Sequence, residues 1–140
     1  MDVTARVTRG LARVISQTTA PGTVTLTVGG VARNLAEAAH RVLSSGPDAQ
    51  PDATLLVSPI GRNDEFSSFI VDEHDLLGMR HDGLLRTSEQ RTAVCDMVLD
   101  TSGALVGGVA DMDIIRNVSE SAVGYLNTSN PRCVTVLIAL

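Results

Sequence analysis

From residue 23 to 28 the chain alternates threonine with valine or leucine, Thr23-Val24-Thr25-Leu26-Thr27-Val28. A period of two sends successive side chains to opposite faces, which predicts a strand with one face wet and one buried. The period then changes. Across residues 31 to 43, Leu35, Ala38, Ala39 and Val42 recur at helical spacing, and Ser44-Ser45-Gly46-Pro47 supplies a stop. After a polar turn at residues 48 to 52, residues 53 to 60 form an almost unbroken apolar run, the kind a parallel sheet buries on both faces. Gly61 ends it. Phe66, Phe69, Ile70, Leu76 and Leu77 then predict a second helix over residues 65 to 77, with Gly78 as its C-cap.

Two further strands are predicted at residues 92 to 99 and 104 to 110. Asp100-Thr101-Ser102-Gly103 joins them as a hairpin turn, because Asp and Gly tolerate the backbone angles required. A short helix at 119 to 126, a turn at 127 to 131 and a last apolar strand at 133 to 140 complete the pattern. Strand, helix, strand, helix, hairpin, helix, strand describes an α/β layer with a small, partly exposed sheet attached. With no internal repeat, linker or low-complexity stretch, the 140 residues read as one domain or a piece of one.

Composition narrows the function. Aromatic residues make up only 2% of the chain and Trp is absent, so the core must come from Val, Leu, Ile, Ala and Met, and no platform exists for stacking bases. The net charge of -5, with basic residues scattered, provides no footprint for nucleic acid. All 11 basic residues are Arg, and the absence of Lys excludes Schiff-base lysine chemistry and a Walker A phosphate loop. Cys95 and Cys133 belong to no metal-ligand spacing and read as buried free thiols of a reducing compartment. The start carries no long apolar signal segment and no run reaches membrane-spanning length, so a cytoplasmic protein without membrane contact is expected.

Candidate chemistry is sparse. His40, His74 and His81 form no zinc signature and read as surface or helix-packing residues, with the last two too loosely spaced to share one helical face. Neither Cys has a neighbouring His, and no nucleophile elbow is present. Asp72, Glu73 and Asp75 read as a solvated helix face. The strand-to-helix corner is different: Gly29-Gly30 precedes the first helix, with Asn34 one turn in. Two glycines there let the backbone approach a ligand closely and aim the helix's unpaired N–H groups at it. Taken alone, the same corner is better read as a tight turn with Asn34 facing solvent.

The order of several motifs carries more. Asp2-Val3, the 23 to 28 strand, Gly29-Gly30-x-x-x-Asn34-x-Ala36-Glu37, Ser58-Pro59-Ile60-Gly61, Asp64-Glu65-Phe66, Gly78-Met79 and the hairpin beginning at Thr92 resemble, in sequence order, the ribokinase-like or PfkB sugar and nucleoside kinases. Val109-Ala110-Asp111-Met112-Asp113-Ile114 is most similar to the pseudouridine kinase branch. The resemblance covers nearly all of the chain but only the N-terminal half of that family's domain. It implies an α/β fold, part of a doubly wound sheet with a small β lid, which here would be truncated at both ends.

By the same resemblance, family members use ATP and Mg²⁺ to phosphorylate a hydroxymethyl group of a sugar or nucleoside such as pseudouridine. Asp2 would bind ribose hydroxyls, Gly29 and Gly30 would let the backbone approach the sugar, and Asn34 would hydrogen-bond it. Asp111 and Asp113 would lie near the acceptor or lid, and read equally as solvated carboxylates after a strand. Relatives also pair their lid strands between subunits, which implies a homodimer.

Departures from the pattern matter as much. Ala32 stands where many relatives have a third glycine, Ser67 follows Asp64-Glu65-Phe66 where glycine is usual, and Ile138-Ala139-Leu140 replaces a branch stretch Asp-Ala-Asn-Leu. The catalytic Gly-Ala-Gly-Asp segment, which supplies base and phosphate cradle in the family, has no counterpart. Gly107-Gly108-Val109-Ala110-Asp111 matches it superficially but should extend a strand rather than open a helix. Phosphoryl transfer is positioning plus charge stabilisation, and losing base and cradle together forfeits several kcal/mol of barrier lowering from each. The chain alone is therefore expected to be an inactive acceptor-binding part, holding neither ATP nor Mg²⁺ fully. A non-catalytic binding or oligomerisation module derived from the lid is the alternative.

Overall fold

The computed structural model describes residues 1–8, 19–118 and 135–138. Seven strands and two α-helices fall within them: β1 (Asp2–Val7), β2 (Gly22–Thr27), α1 (Val31–Leu43), β3 (Thr54–Gly61), α2 (Glu65–Leu77), β4 (Leu84–Thr87), β5 (Val94–Leu99), β6 (Leu105–Asp111) and β7 (Thr135–Ile138). Both helices have the bounds that periodicity predicts. Strands β1 and β4 were not read from the pattern. The predicted helix at 119 to 126, the turn at 127 to 131 and Cys133 lie outside the described residues.

The chain divides into two compact units, Met1–Thr27 with Val94–Asp111, and Val28–Ala93 with Met112–Leu140. The first is a four-stranded sheet in the order β2-β1-β5-β6, with β1 antiparallel to β2 and parallel to β5, and β5 antiparallel to β6. Asp100 sets the β5–β6 turn, its Oδ1 accepting from the N–H of Ser102 at 2.8 Å and of Ala104 at 2.9 Å. That is the predicted hairpin, closed by an Asx-type turn. The register places Val3, Ala5, Val24, Leu26, Asp96, Val98 and Val109 on one face, and Asp2, Thr4, Arg6, Thr23, Thr25, Thr27, Cys95, Met97 and Leu99 on the other.

The strand over residues 23 to 28 was expected to bury one face. It does not: every residue of β2 is exposed, with Val24 at 74%. It is an edge strand of a sheet whose own unit has no helix among the described residues for Val24 and Leu26 to pack on.

The second unit is built on three parallel strands in the order β4-β3-β7. β3 lies in the middle and is buried along nearly its whole length, as its unbroken apolar run requires. Two apolar clusters form around it. Leu56 joins Ala36 of α1 and Met79, while Ile60 joins Ile70 of α2 and Leu84. The short 3-10 helix Asp113–Asn117 also meets β3 and buries Ile114.

Candidate functional site

The starts of the two helices are built in opposite ways. α2 is closed by its own sequence. Asp64 is its N-cap and accepts the N–H of Ser67 at 2.7 Å, while the Ser67 hydroxyl accepts the Asp64 N–H at 3.3 Å. This reciprocal pair satisfies helix-start donors. Ser67 thus makes good use of the position where the resemblance puts glycine.

The cap extends into a clasp. Thr92, immediately before the β5 region, donates its N–H at 2.9 Å and its hydroxyl at 2.9 Å to the Asp64 carboxylate, and its oxygen accepts the Gly61 N–H at 2.9 Å. Burial pushes the Asp64 carboxyl up, but the Thr92 and Ser67 hydrogen bonds, with the nearby Arg91 charge, outweigh it and hold the group below its usual range. Arg91 also lies over the Phe66 ring, 5.7 Å from its centroid. The sequence singled out Asp64-Glu65-Phe66, but nothing in it joined Thr92, 28 residues on, to the same carboxylate.

α1 is left open. Gly30 is its N-cap with φ 96° and ψ 135°, and no side chain bonds back to the first-turn N–H groups. The φ lies where a side chain is strained, so the corner depends on glycine here. The Asn34 N–H is bonded to the Gly30 carbonyl at 3.0 Å, and its side chain is exposed. Ala32, the position of a third glycine in many relatives, is an ordinary helical residue packed on the Leu56 cluster. Beside Asn34, Glu37 pairs with Arg33 and with Arg41, the latter at 2.6 Å. The Arg41 hydrogen bond above all, with the charges of both arginines, holds the Glu37 carboxyl below its usual range against a smaller upward push from burial.

The remaining candidates sit elsewhere. Asp2 opens β1 opposite Thr27 and Cys95, and Asp111 closes β6 opposite Val94. The register therefore brings these two carboxylate-bearing positions to one end of the four-stranded sheet, two strands apart. The chain also leaves the sheet at that end after Thr27 and after Asp111, and enters it there at Val94. Asp113 lies in the 3-10 helix, exposed and 3.6 Å from Arg116. Gly29, Gly30, Asn34 and Asp113 thus belong to one unit, Asp2 and Asp111 to the other.

Gly107 and Gly108 lie within β6, opposite Val98 and Met97. Their backbone belongs to a strand, so this stretch is not a phosphate cradle at a helix start. Among the described residues no group of three His, Cys, Asp or Glu is placed to hold a metal ion. Cys95 is a free thiol, half-buried rather than buried as expected. No helix among the described residues is long and apolar enough to cross a membrane.

No known sequence family matches the chain, and no curated protein does so at the level of sequence. Solved structures do match. A protein assigned as a sugar kinase from Clostridium perfringens is similar over 96% of this chain and 39% of its own, with a TM-score of 0.73 at 23% identity. The ribokinase of Giardia lamblia is similar over 98% and 38% respectively, with a TM-score of 0.71 at 20% identity. The nucleoside kinase of Burkholderia thailandensis, solved with inosine, matches 81% of this chain and 34% of its own at a TM-score of 0.58 and 16% identity. The chain therefore spans about two fifths of the length of the first two of these structures, and its mixed α/β fold is that of part of a ribokinase-like kinase.

Proposed function

We propose that this chain is the acceptor-binding part of a ribokinase-like kinase domain, corresponding to that domain's N-terminal half, and that it binds a sugar or nucleoside without phosphorylating it. The observation that carries this reading is the open, glycine-capped start of α1, followed by Asn34, in a chain whose fold matches sugar and nucleoside kinases over nearly its whole length. The free first-turn N–H groups are suited to sugar hydroxyls, and Asn34 offers both a donor and an acceptor to the same guest. The resemblance would add Asp2 as a ligand of ribose hydroxyls, with Asp111 near the acceptor or lid, and both belong to the other unit. Pseudouridine is the guest we favour, because Val109-Ala110-Asp111-Met112-Asp113-Ile114 is most similar to that branch.

Turnover by this chain alone is not part of the proposal. The stretch most like a catalytic glycine loop is strand, and ATP and Mg²⁺ enter this reading only as what the resemblance implies for the family. Isothermal titration with pseudouridine, ribose and inosine tests binding. Saturable heat with one of them, weakened about fivefold or more in Asn34→Ala, is expected, since one lost hydrogen bond to a polar guest costs on the order of 1 kcal/mol or more. No binding by any of the three overturns the acceptor reading. Stoichiometric phosphorylation with ATP and Mg²⁺ overturns the inactive part.

A second reading rests on the four-stranded sheet. Its outer strands β2 and β6 are exposed throughout, and Val24 and Val109 stand exposed on the same face. Exposed strand edges and uncovered apolar side chains favour pairing with a second copy. We infer self-association through this sheet as the alternative role.

A further inference from the structure

The turn that ends α2 is held from two sides by buried histidines. His40 of α1 lies with Nε2 2.9 Å from the Leu77 carbonyl, and His74 of α2 lies with Nδ1 3.3 Å from the Arg80 carbonyl. A carbonyl oxygen only accepts, so each ring donates from the nitrogen named. Met79, within that turn, packs on Ala36 and Leu56, so the turn is where α1 and β3 meet the end of α2.

His74 differs from His40 in what its other nitrogen meets. The ring is fully buried, with 0% exposure, and its Nε2 has no hydrogen-bond partner. With Nδ1 carrying the hydrogen, Nε2 is the atom that accepts a proton from solvent, and the new N–H would face no acceptor. Its surroundings are cationic or neutral on most sides. The His81 ring lies 5.8 Å away, its own Nε2 is buried and 3.3 Å from Asp75 Oδ1, and the Arg33 charge of α1 reaches the site with its Nε buried and without a hydrogen-bond partner. The carboxylates nearby are engaged: Glu37 holds Arg33 and Arg41, Asp75 faces His81, and Asp82 holds Arg80. Desolvation is the main cause that lowers the His74 pKa from its usual 6.5, with the His81 and Arg33 charges adding to it against the opposing Arg80 hydrogen bond and Asp75 charge.

We propose that His74 is a proton-operated latch: neutral, it keeps the turn at residues 77 to 80 closed on α1, and protonated at Nε2 it opens that turn and loosens α1. The sign follows from linkage. A buried base favoured in its neutral form contributes its full stabilisation above its unfolded value of 6.5 and loses it as the pH falls below that value. The consequence lies at α1, which carries Gly30 and Asn34, but the latch needs no ligand and stands whether or not a sugar binds.

Amide hydrogen exchange across α1, corrected for intrinsic rates, together with side-chain NMR titration of His74 in the full chain, tests it. Between pH 6.5 and 5, protection of α1 should fall by up to about tenfold per pH unit, since each unit lost by one linked proton is a factor of ten. His74→Gln, which keeps a donor for the Arg80 carbonyl but takes no proton, should be flat over that range, while His81→Gln should keep the fall. Constant protection in the parent overturns the latch, as does a fall retained by His74→Gln or lost in His81→Gln. Should His74→Gln not fold, the parent's titration decides, and a His74 midpoint at or above 6.5 overturns it.

Discussion

Asp64 spends one carboxylate on two separate tasks, capping α2 and tying Thr92 to the end of β3. The sequence carries a signal for the first task, since Asp before Glu65 and an apolar run favours a helix start, although the helix is predicted from its apolar spacing without it. It carries none for the second, since a contact across 28 residues leaves no local trace. Asp64→Ala removes the cap and leaves the buried Thr92 hydroxyl short of a partner. It should cost about 2 kcal/mol, the upper end for a lost cap, read as a lower urea midpoint with unchanged slope. The pH dependence is fixed in sign. A carboxyl held below its usual 3.8 contributes fully above that value, and the contribution is lost as the pH falls through the depressed native value. The gap between parent and Asp64→Ala should therefore be constant near neutrality and close in acid. A gap that widens below pH 3.8 would contradict the clasp.

Helix α1 shows how a correct period can identify an element yet mark the wrong face. The recurrence of Leu35, Ala38 and Val42 gave the helix its bounds, but Leu35 is 54% and Val42 71% exposed. The face against β3 carries Ala36 and His40, with Ala32 packed beside them. Small residues lie there because the helix approaches a buried strand closely, and helical spacing alone does not rank two apolar stripes. The strands missed, β1 and β4, have related causes: β1 mixes Asp2, Thr4 and Arg6 with its apolar positions, and β4 is only four residues long. Ala36→Leu should destabilise by about 1–3 kcal/mol through overpacking, whereas Leu35→Gln should stay within about 0.5 kcal/mol of the parent. Thermal melts followed by circular dichroism check both. Equal losses from the two substitutions would mean that the stripe at Leu35 is covered in solution.

At the scale of the whole chain, motif order carried more than periodicity did. The glycine corner before α1, the Gly78 terminus with φ 69° and the hairpin all stand where the sequence put them, and the fold matches kinases of the resemblance. What the order of motifs does not contain is which strands share a sheet. β1 pairs with β5 across more than 80 residues, so Asp2 and Asp111 come to the same end of one sheet, two strands apart, which local patterns do not assemble. That sheet sets the final expectation. A sheet gains independent stability by packing its apolar side chains on something, and Val24 and Val109, on one face, are 74% and 73% exposed. Threonine keeps the β-branched shape that suits a strand while replacing a methyl with a hydroxyl, so Val24→Thr with Val109→Thr should leave the sheet intact and weaken its attraction for a second copy. Sedimentation velocity over a concentration series should show the parent associating and the double variant shifted toward monomer. Leu35→Gln, on the other unit, should follow the parent. A parent that stays monomeric to its highest soluble concentration would remove self-association as a role and leave Val24 and Val109 to some other cover.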